Sequence, residues 1–374
     1  MSRLAMSKLQ QQPRARQAGL SLIELMVSIT IGLIILTGVA YVFVNTSDAR
    51  RELERTSRQL ENGRFAVEVM QDDLRLAGFF GELNVNSISA TTVPAAAVPT
   101  AVPDPCSTTA SDWHQALHVH VQGYTAGAGA PSGCLIAGLN ILAGTDILVV
   151  RRTRTCAAGV SGCPAASGSS IPYLVVGMCA TVATTHEIVL GTAAPTLQKK
   201  DCSTAASKRQ YYVNIYYIST DNGSGVSVPT LKRLTFTPGT SASTGVPANF
   251  TVDPLVEGIE QLHFEYGLDN DGDGAPDVYV TDPNNYSPPP AAATDPCSAS
   301  CQVSNWMNVV TTHVYLVSRA LETTPGYTDA KTYPLGTVTG SVTYTPASSV
   351  AGFRRHGYSA LVRITNPAGR RDTP

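Results

Sequence analysis

The chain has 374 residues, of which 43% are hydrophobic and only 14% are charged, with 31 Gly and 24 Pro. That composition excludes a wholly disordered chain and leaves length for one large domain or two ordinary ones. A formal net charge of −2 argues against a basic protein that tracks phosphates. Residues 1–19 carry Arg3, Lys8, Arg14 and Arg16 and no acid. Residues 20–44 follow as an apolar run whose one charge is Glu24. At about 1.5 Å per residue that run makes a helix of about 37 Å, enough to cross a hydrocarbon core of roughly 30 Å. A secretory signal has a shorter apolar stretch, cleaved after it. Basic head, apolar run and acidic remainder predict an exported or membrane-anchored protein and not a cytosolic enzyme. A carboxylate at membrane depth is costly, which predicts a functional role for Glu24.

The segment Ala18-Gly19-Leu20-Ser21-Leu22-Ile23-Glu24-Leu25-Met26-Val27 resembles the processing site of type IV pilins and type II secretion pseudopilins. The resemblance implies that a prepilin peptidase cuts after Gly19 and that Leu20 becomes a methylated N-terminus, with Glu24 the fifth mature residue. Leu20 departs from the family's usual Phe but keeps its apolar character. Cutting before the apolar run leaves that run in place as a membrane and filament-core helix. Freeing an α-amino group beside a carboxylate lets the two neutralise each other in low dielectric. The resemblance places that Glu24 pairing largely between neighbouring subunits.

Residues 45–77 hold seven acids and six arginines. Leu53, Thr56, Leu60, Gly63, Val67, Met70, Leu74 and Ala77 recur in steps of three and four, a stripe along one helix face. No proline interrupts Leu20 to Ala77, so one helix of about 58 residues is expected. Thr56 and Gly63 suit a coiled-coil seam poorly, and a globular domain is expected to pack on the stripe. Gly78 and Gly81 suit the helix stop.

Two further stretches narrow the family. Glu61-Asn62-Gly63-Arg64-Phe65-Ala66, with Asp73-Leu74-Arg75-Leu76-Ala77-Gly78-Phe79-Phe80-Gly81, resembles the end of the long helix in PilW-type minor pilins. Phe353-Arg354-Arg355-His356 and Leu361-Val362-Arg363-Ile364-Thr365-Asn366 are similar to that family's closing strand. Residues 82–250 resemble no family. Strands are expected at 118–122, 147–152, 173–176, 211–218, 231–237, 259–266, 309–318 and 358–364, where Val, Ile, Tyr and Thr concentrate between turn residues. The predicted class is α+β and type IV pilin-like: a long N-terminal helix packed on an antiparallel β-rich globular domain with large loop insertions. Its divisions are a leader at 1–19, a transmembrane helix at 20–44, the amphipathic half of that helix at 45–78, and a periplasmic domain at 79–374.

Eight cysteines, Cys106, Cys134, Cys156, Cys163, Cys179, Cys202, Cys297 and Cys301, lie in the exported part, where an even count favours disulfides. Eight allow 105 pairings. Locality favours 106–134, 156–163, 179–202 and 297–301, each stapling one loop, over a zinc site. Asp269-Asn270-Asp271-Gly272-Asp273-Gly274-Ala275-Pro276-Asp277 follows the first nine positions of an EF-hand-type loop. Asp269, Asp271, Asp273 and Asp277, with the Ala275 carbonyl, are candidate calcium ligands; the alternative is a solvated turn. Position twelve is Val280, so water, Asp282 or a distant residue would complete the shell. Tyr266-Gly267 before the loop resembles the same junction in PilW-like proteins. His118 and His120 lack a third ligand, and Arg151, Arg152 and Arg154 read as a solvated strand end. No nucleophile motif, P-loop or dinucleotide fingerprint is present, and no enzyme activity is expected.

The resemblance implies a structural minor pilin that helps initiate a type IV pilus and sits at or near its tip. Implied partners are other minor pilins, a tip adhesin, the major pilin, the inner-membrane assembly platform and the prepilin peptidase. The chain would sit in the inner membrane with a periplasmic domain, then move into the pilus. The alternatives are a J-type pseudopilin of a type II secretion system and a pilus-tip adhesin or DNA-uptake subunit. Twitching motility and cell adhesion are the processes such a pilus would serve.

Overall fold

A computed structural model describes residue 19 and residues 21–85, 98–126, 139–241, 246, 248–288 and 297–371. Residues 1–18, Leu20 and Cys134 lie outside the described residues. The chain divides into two units, one ending at Glu54 and one beginning at Arg55. Helix α1 is Leu22–Arg75. In the first unit its apolar residues are exposed, from Leu22 through Val44. By length and composition this helix could cross a membrane. Thr30, Thr37 and Thr46 donate their hydroxyls to carbonyls three or four residues back, which satisfies them inside the helix.

In the second unit the helix buries Gln59, Gly63, Ala66, Met70, Asp73 and Leu74. The predicted stripe is therefore correct from Gly63 onward and displaced before it, because Leu53 and Leu60 are exposed. A strict 3.5-residue repeat drifts by about 20° per heptad on a straight helix, and the buried face follows 3.6. Gly78 ends the helix at φ 70° and donates its N–H to the Arg151 carbonyl at 3.0 Å. At Gly63 a side chain would run into the ring of Tyr358, whose hydroxyl donates to the Leu60 carbonyl at 3.2 Å.

The remaining elements are helix α2 (Ala110–Ala116), strands β1 (Val121–Tyr124), β2 (Ile147–Thr153), β3 (Pro172–Val176), β4 (His186–Leu190), β5 (Lys208–Ser219), β6 (Thr230–Phe236), β7 (Phe250–Glu257), β8 (Ile259–Leu268) and β9 (Val278–Val280), then helix α3 (Ala299–Met307), strands β10 (Val309–Arg319), β11 (Tyr333–Leu335), β12 (Val342–Tyr344) and β13 (Arg355–Arg363), and helix α4 (Thr365–Arg371). All pairings are antiparallel. One sheet runs β1-β2-β5-β3-β4, with β6 also on β5 and β7 on β6. A second runs β13-β10-β8-β9, and β11 pairs with β12.

Alternation along β5 builds two cores. Tyr216 and Ile218 face the core that holds Met70 and Leu74 of α1, with Phe264, Tyr266 and Trp306. Tyr211, Val213, Ile215 and Tyr217 face a second core with Trp113, Phe236 and Phe250. A strand with period-two burial on both faces is an interior strand, and β5 reads as one. The fold is thus α+β and pilin-like: a long apolar helix followed by an antiparallel, β-rich domain.

Two boundaries and several short elements differ from what the sequence predicts. Residues 118–120 form a turn after α2, and the strand begins at Val121. Residues 365–371 are helical, so the closing strand stops at Arg363. Strands β4, β9, β11 and β12, and helices α2, α3 and α4, carry too few periods for the pattern to show, and in β7 the pair Asp253-Pro254 interrupts the strand signal.

Candidate functional site

Three places hold the residues singled out by sequence. The first is the start of α1. Gly19 is exposed and Glu24 lies in the first turn of the helix, also exposed. A carboxylate near a helix N-terminus is favoured by the aligned peptide dipoles. The Ser28 hydroxyl donates to the Glu24 carbonyl at 2.7 Å and leaves the carboxylate itself unengaged by that neighbour.

The second is the lower half of α1. Asp73 is buried, with one oxygen on the Arg152 guanidinium. Its other oxygen accepts from Asn214 Nδ2 at 2.8 Å and from the Tyr216 hydroxyl at 2.9 Å. Burial pushes the Tyr216 hydroxyl well above its ordinary pKa, with the Asp73 charge adding to it, so it remains a donor. This clasp joins the helix to β2 and β5. The expected solvated strand end is corrected here. Arg152 is on Asp73, and Arg151 is fully buried with its guanidinium on Val119 O at 3.0 Å and Gln122 Oε1 at 2.7 Å. Strand β2 is an apolar run followed by two adjacent arginines, and nothing local to it shows that Arg151 points inward.

The third is the loop between β8 and β9. Asp269, Asp271 and Asp273 bring carboxylate oxygens within 4.8 Å of one another. Their hydrogen bonds shape the loop: Gly272 and Gly274 N–H groups donate to Asp269 at 2.6 and 2.9 Å, Asp273 N–H to Asp271, and Ala275 N–H to Asp273. Asp277 is used differently, accepting the Asn270 and Asp271 N–H groups through Oδ2. Asp282 caps its own turn, accepting from Asn284 and Asn285. Val280 pairs with Tyr266 in the sheet.

One partner escaped the sequence reading. Arg371 of α4 places Nη1 3.0 Å from Asp269 Oδ2 and 3.0 Å from the Asp269 carbonyl. It also donates to Met307 O and Asn308 Oδ1. Burial alone would raise the Asp269 carboxyl, yet Arg371 and the two glycine N–H groups outweigh it and hold it below the usual carboxylate range. The donor set suits a hard cation with oxygen ligands at about 2.3–2.6 Å, with Arg371 as a competitor for Asp269. The 102-residue gap between the two leaves no local pattern to find.

Among the described residues His118 and His120 gather no third metal ligand, while His114 Nδ1 and His186 Nε2 meet at 3.1 Å. His120 Nε2 donates to the Val309 carbonyl at 2.7 Å, and burial pushes its pKa down to about 4. Among the described residues Cys156–Cys163, Cys179–Cys202 and Cys297–Cys301 are bonded, with Cα separations of 6.2, 4.9 and 5.4 Å. Cys106 is also disulfide-bonded, while Cys134, its expected partner, lies outside the described residues.

The long apolar helix and the antiparallel domain together define a type IV pilin-like protein. Residues 14–40 match the Prokaryotic N-terminal methylation motif. Residues 215–366, from within β5 into α4, match the family described as Type IV Pilus-assembly protein W, so the match extends into residues 215–250, where the sequence alone shows no family motif. No curated protein and no solved structure matches the chain. The methylation motif and the apolar helix fit an inner-membrane-anchored pilin that is then incorporated into the pilus.

Proposed function

We propose that the chain is a structural minor pilin that helps to start a type IV pilus and stays at or near the tip, and is not an enzyme. The observation that carries the reading is the exposed apolar stretch of α1 with a single carboxylate at its start. Such a surface is satisfied by lipid or by neighbouring helices, not by water. The prepilin peptidase frees Leu20, whose amine pairs with Glu24 of an adjacent subunit while apolar burial seats the helix. Other minor pilins, the major pilin and a tip adhesin are the partners, gathered at the inner-membrane assembly platform.

A bulky or charged residue at Gly19 should leave the leader attached, whereas Gly19→Ala should be processed. Glu24→Val should insert into the membrane and be cut, yet be depleted from pili by about tenfold, the effect of roughly 1.4 kcal/mol in the docking step. Counting surface pili and immunoblotting sheared pili from cells that carry each variant in place of the wild type checks both. Wild-type incorporation of Glu24→Val would remove the pairing step.

The loop between β8 and β9 is proposed to take a calcium ion on Asp269, Asp271 and Asp273, with the Ala275 carbonyl and Asp277 as further candidates. The ion would be structural, neutralising acids that repel one another and tying β8 to β9. Stability should then rise by about 2.7 kcal/mol at a hundredfold excess of calcium over its dissociation constant. Asp271→Ala should abolish most of that gain and leave the ion-free chain almost as stable, because Asp271 is exposed. Thermal unfolding of the chain in calcium, magnesium and chelator checks it; equal midpoints in all three would leave a solvated turn.

A further inference from the structure

Away from the anchor helix and the acidic loop, the ends of β5 and β6 and the middle of β7 border a cavity of about 790 Å³. That volume lies in the range of small-molecule sites. Tyr217 of β5 stands directly across from Lys232 of β6, and Lys232 across from Pro254 of β7. Directly opposed residues share a sheet face, so these three side chains stand in a row on one wall. Tyr217 is fully buried, and its hydroxyl makes no hydrogen bond among the described residues. Orphaned buried hydroxyls are rare, because each forfeits its solvation without compensation.

The charges on this wall cancel. Lys232 Nζ donates to Asp221 Oδ1 at 2.9 Å, Gly223 N–H to the same oxygen at 2.7 Å, and Asn140 Nδ2 to Asp221 Oδ2 at 2.7 Å. The Lys232 contact, first among these, holds the Asp221 carboxyl down at about 2. Burial, with the Asp221 charge behind it, raises the Tyr217 hydroxyl above its ordinary range, so it stays protonated. The carboxylate is filled, while the ammonium keeps two further N–H groups. What the cavity offers is two donors, the Tyr217 hydroxyl and the Lys232 ammonium already paired with Asp221, beside an apolar surface from Val252 and Pro254.

An anion gains little from an ammonium that is already paired, and a hydrocarbon would leave the buried donors unmet. A sugar ring meets both demands, since its hydroxyls accept hydrogen bonds and its C–H face packs on apolar groups. We propose that this cavity binds a saccharide, with a ring hydroxyl on Tyr217 and Lys232 and the C–H face against Val252 and Pro254. None of its residues takes part in processing, membrane insertion or the acidic loop, so its failure would leave the assembly reading untouched.

The test uses the full chain in lauryldimethylamine oxide, a detergent without a sugar headgroup. Glucose, galactose, mannose and N-acetylglucosamine are titrated in turn, read by saturation-transfer NMR and calorimetry. At least one should bind saturably, and Tyr217→Phe should weaken it by about tenfold, the loss of one well-placed hydrogen bond. The same variant keeps the ring and deletes an orphaned group, so its thermal midpoint should be unchanged or higher. Absence of binding by all four sugars overturns the proposal, and so does undiminished binding by a folded Tyr217→Phe chain. A lowered midpoint also overturns it, since the hydroxyl would then have a structural partner.

Discussion

Replacing Asp73 by Ala should cost the domain about 3–5 kcal/mol, the usual penalty for breaking a buried ion pair from one side. The size follows from what is left behind. Asn214 and Tyr216 are almost wholly buried and lose their acceptor, and Arg152, four-fifths covered, loses its counter-charge. Asp73→Asn keeps the shape and one acceptor oxygen and should cost less, about 1–3 kcal/mol. Because Asp73 lies on α1 and its partners on β2 and β5, the loss should also loosen the lower half of the helix from the sheet. Chemical unfolding of the full chain in detergent, with hydrogen exchange along residues 59–77, measures both. A cost below about 1 kcal/mol for Asp73→Ala would mean that the clasp holds nothing the apolar face does not.

Trp306→Ala should be comparably damaging, at about 3–5 kcal/mol, the range for emptying a large aromatic site in a core. Trp306 is fully buried in the core it shares with Met70 and Leu74, its ring edge-on to Tyr266 at 4.9 Å. Its indole N–H donates to Asn284 Oδ1 at 2.9 Å. Trp306→Phe keeps much of the volume and gives up that bond, so it should cost less than half as much. If the two variants cost the same, the hydrogen bond and not the packing would carry the effect. Near-UV circular dichroism during thermal unfolding separates the cases. Asn305, beside it, donates to the Pro283 and Tyr286 carbonyls at 2.7 Å, so α3 holds the segment after β9 as well as the core.

The elements legible in the sequence are those with many repeats of one period. The fifty-four residues of α1 announce themselves through an apolar run, a proline-free stretch and a glycine stop. Strands β5, β8 and β10 run for ten or more residues rich in Val, Ile, Tyr and Thr, and the expected strands at 211–218, 259–266 and 309–318 lie within them. Helices α2 and α4 have seven residues each, under two turns, and turn chemistry around them masks the pattern. The stripe expected on α1 departs from the buried face before Gly63, because a 3.5-residue repeat drifts off a straight helix's face. Long-range polar partners were invisible for a different reason. Asp73 with Arg152 and Asp269 with Arg371 are 79 and 102 residues apart, and only the packed sheets bring them together. The acidic loop, by contrast, is a local motif of alternate acids and glycines, readable without knowing what surrounds it; its competitor Arg371 was not.

The central claim is that this chain is trimmed before its apolar helix and built into a pilus through that helix. Mass spectrometry of the chain recovered from sheared, purified pili tests it most directly. The account predicts that the chain is present there, in small amount beside the major pilin, with a methylated N-terminus at Leu20. Absence from the pili, or a mature N-terminus lying after Val44 so that the apolar helix has been removed, would contradict it.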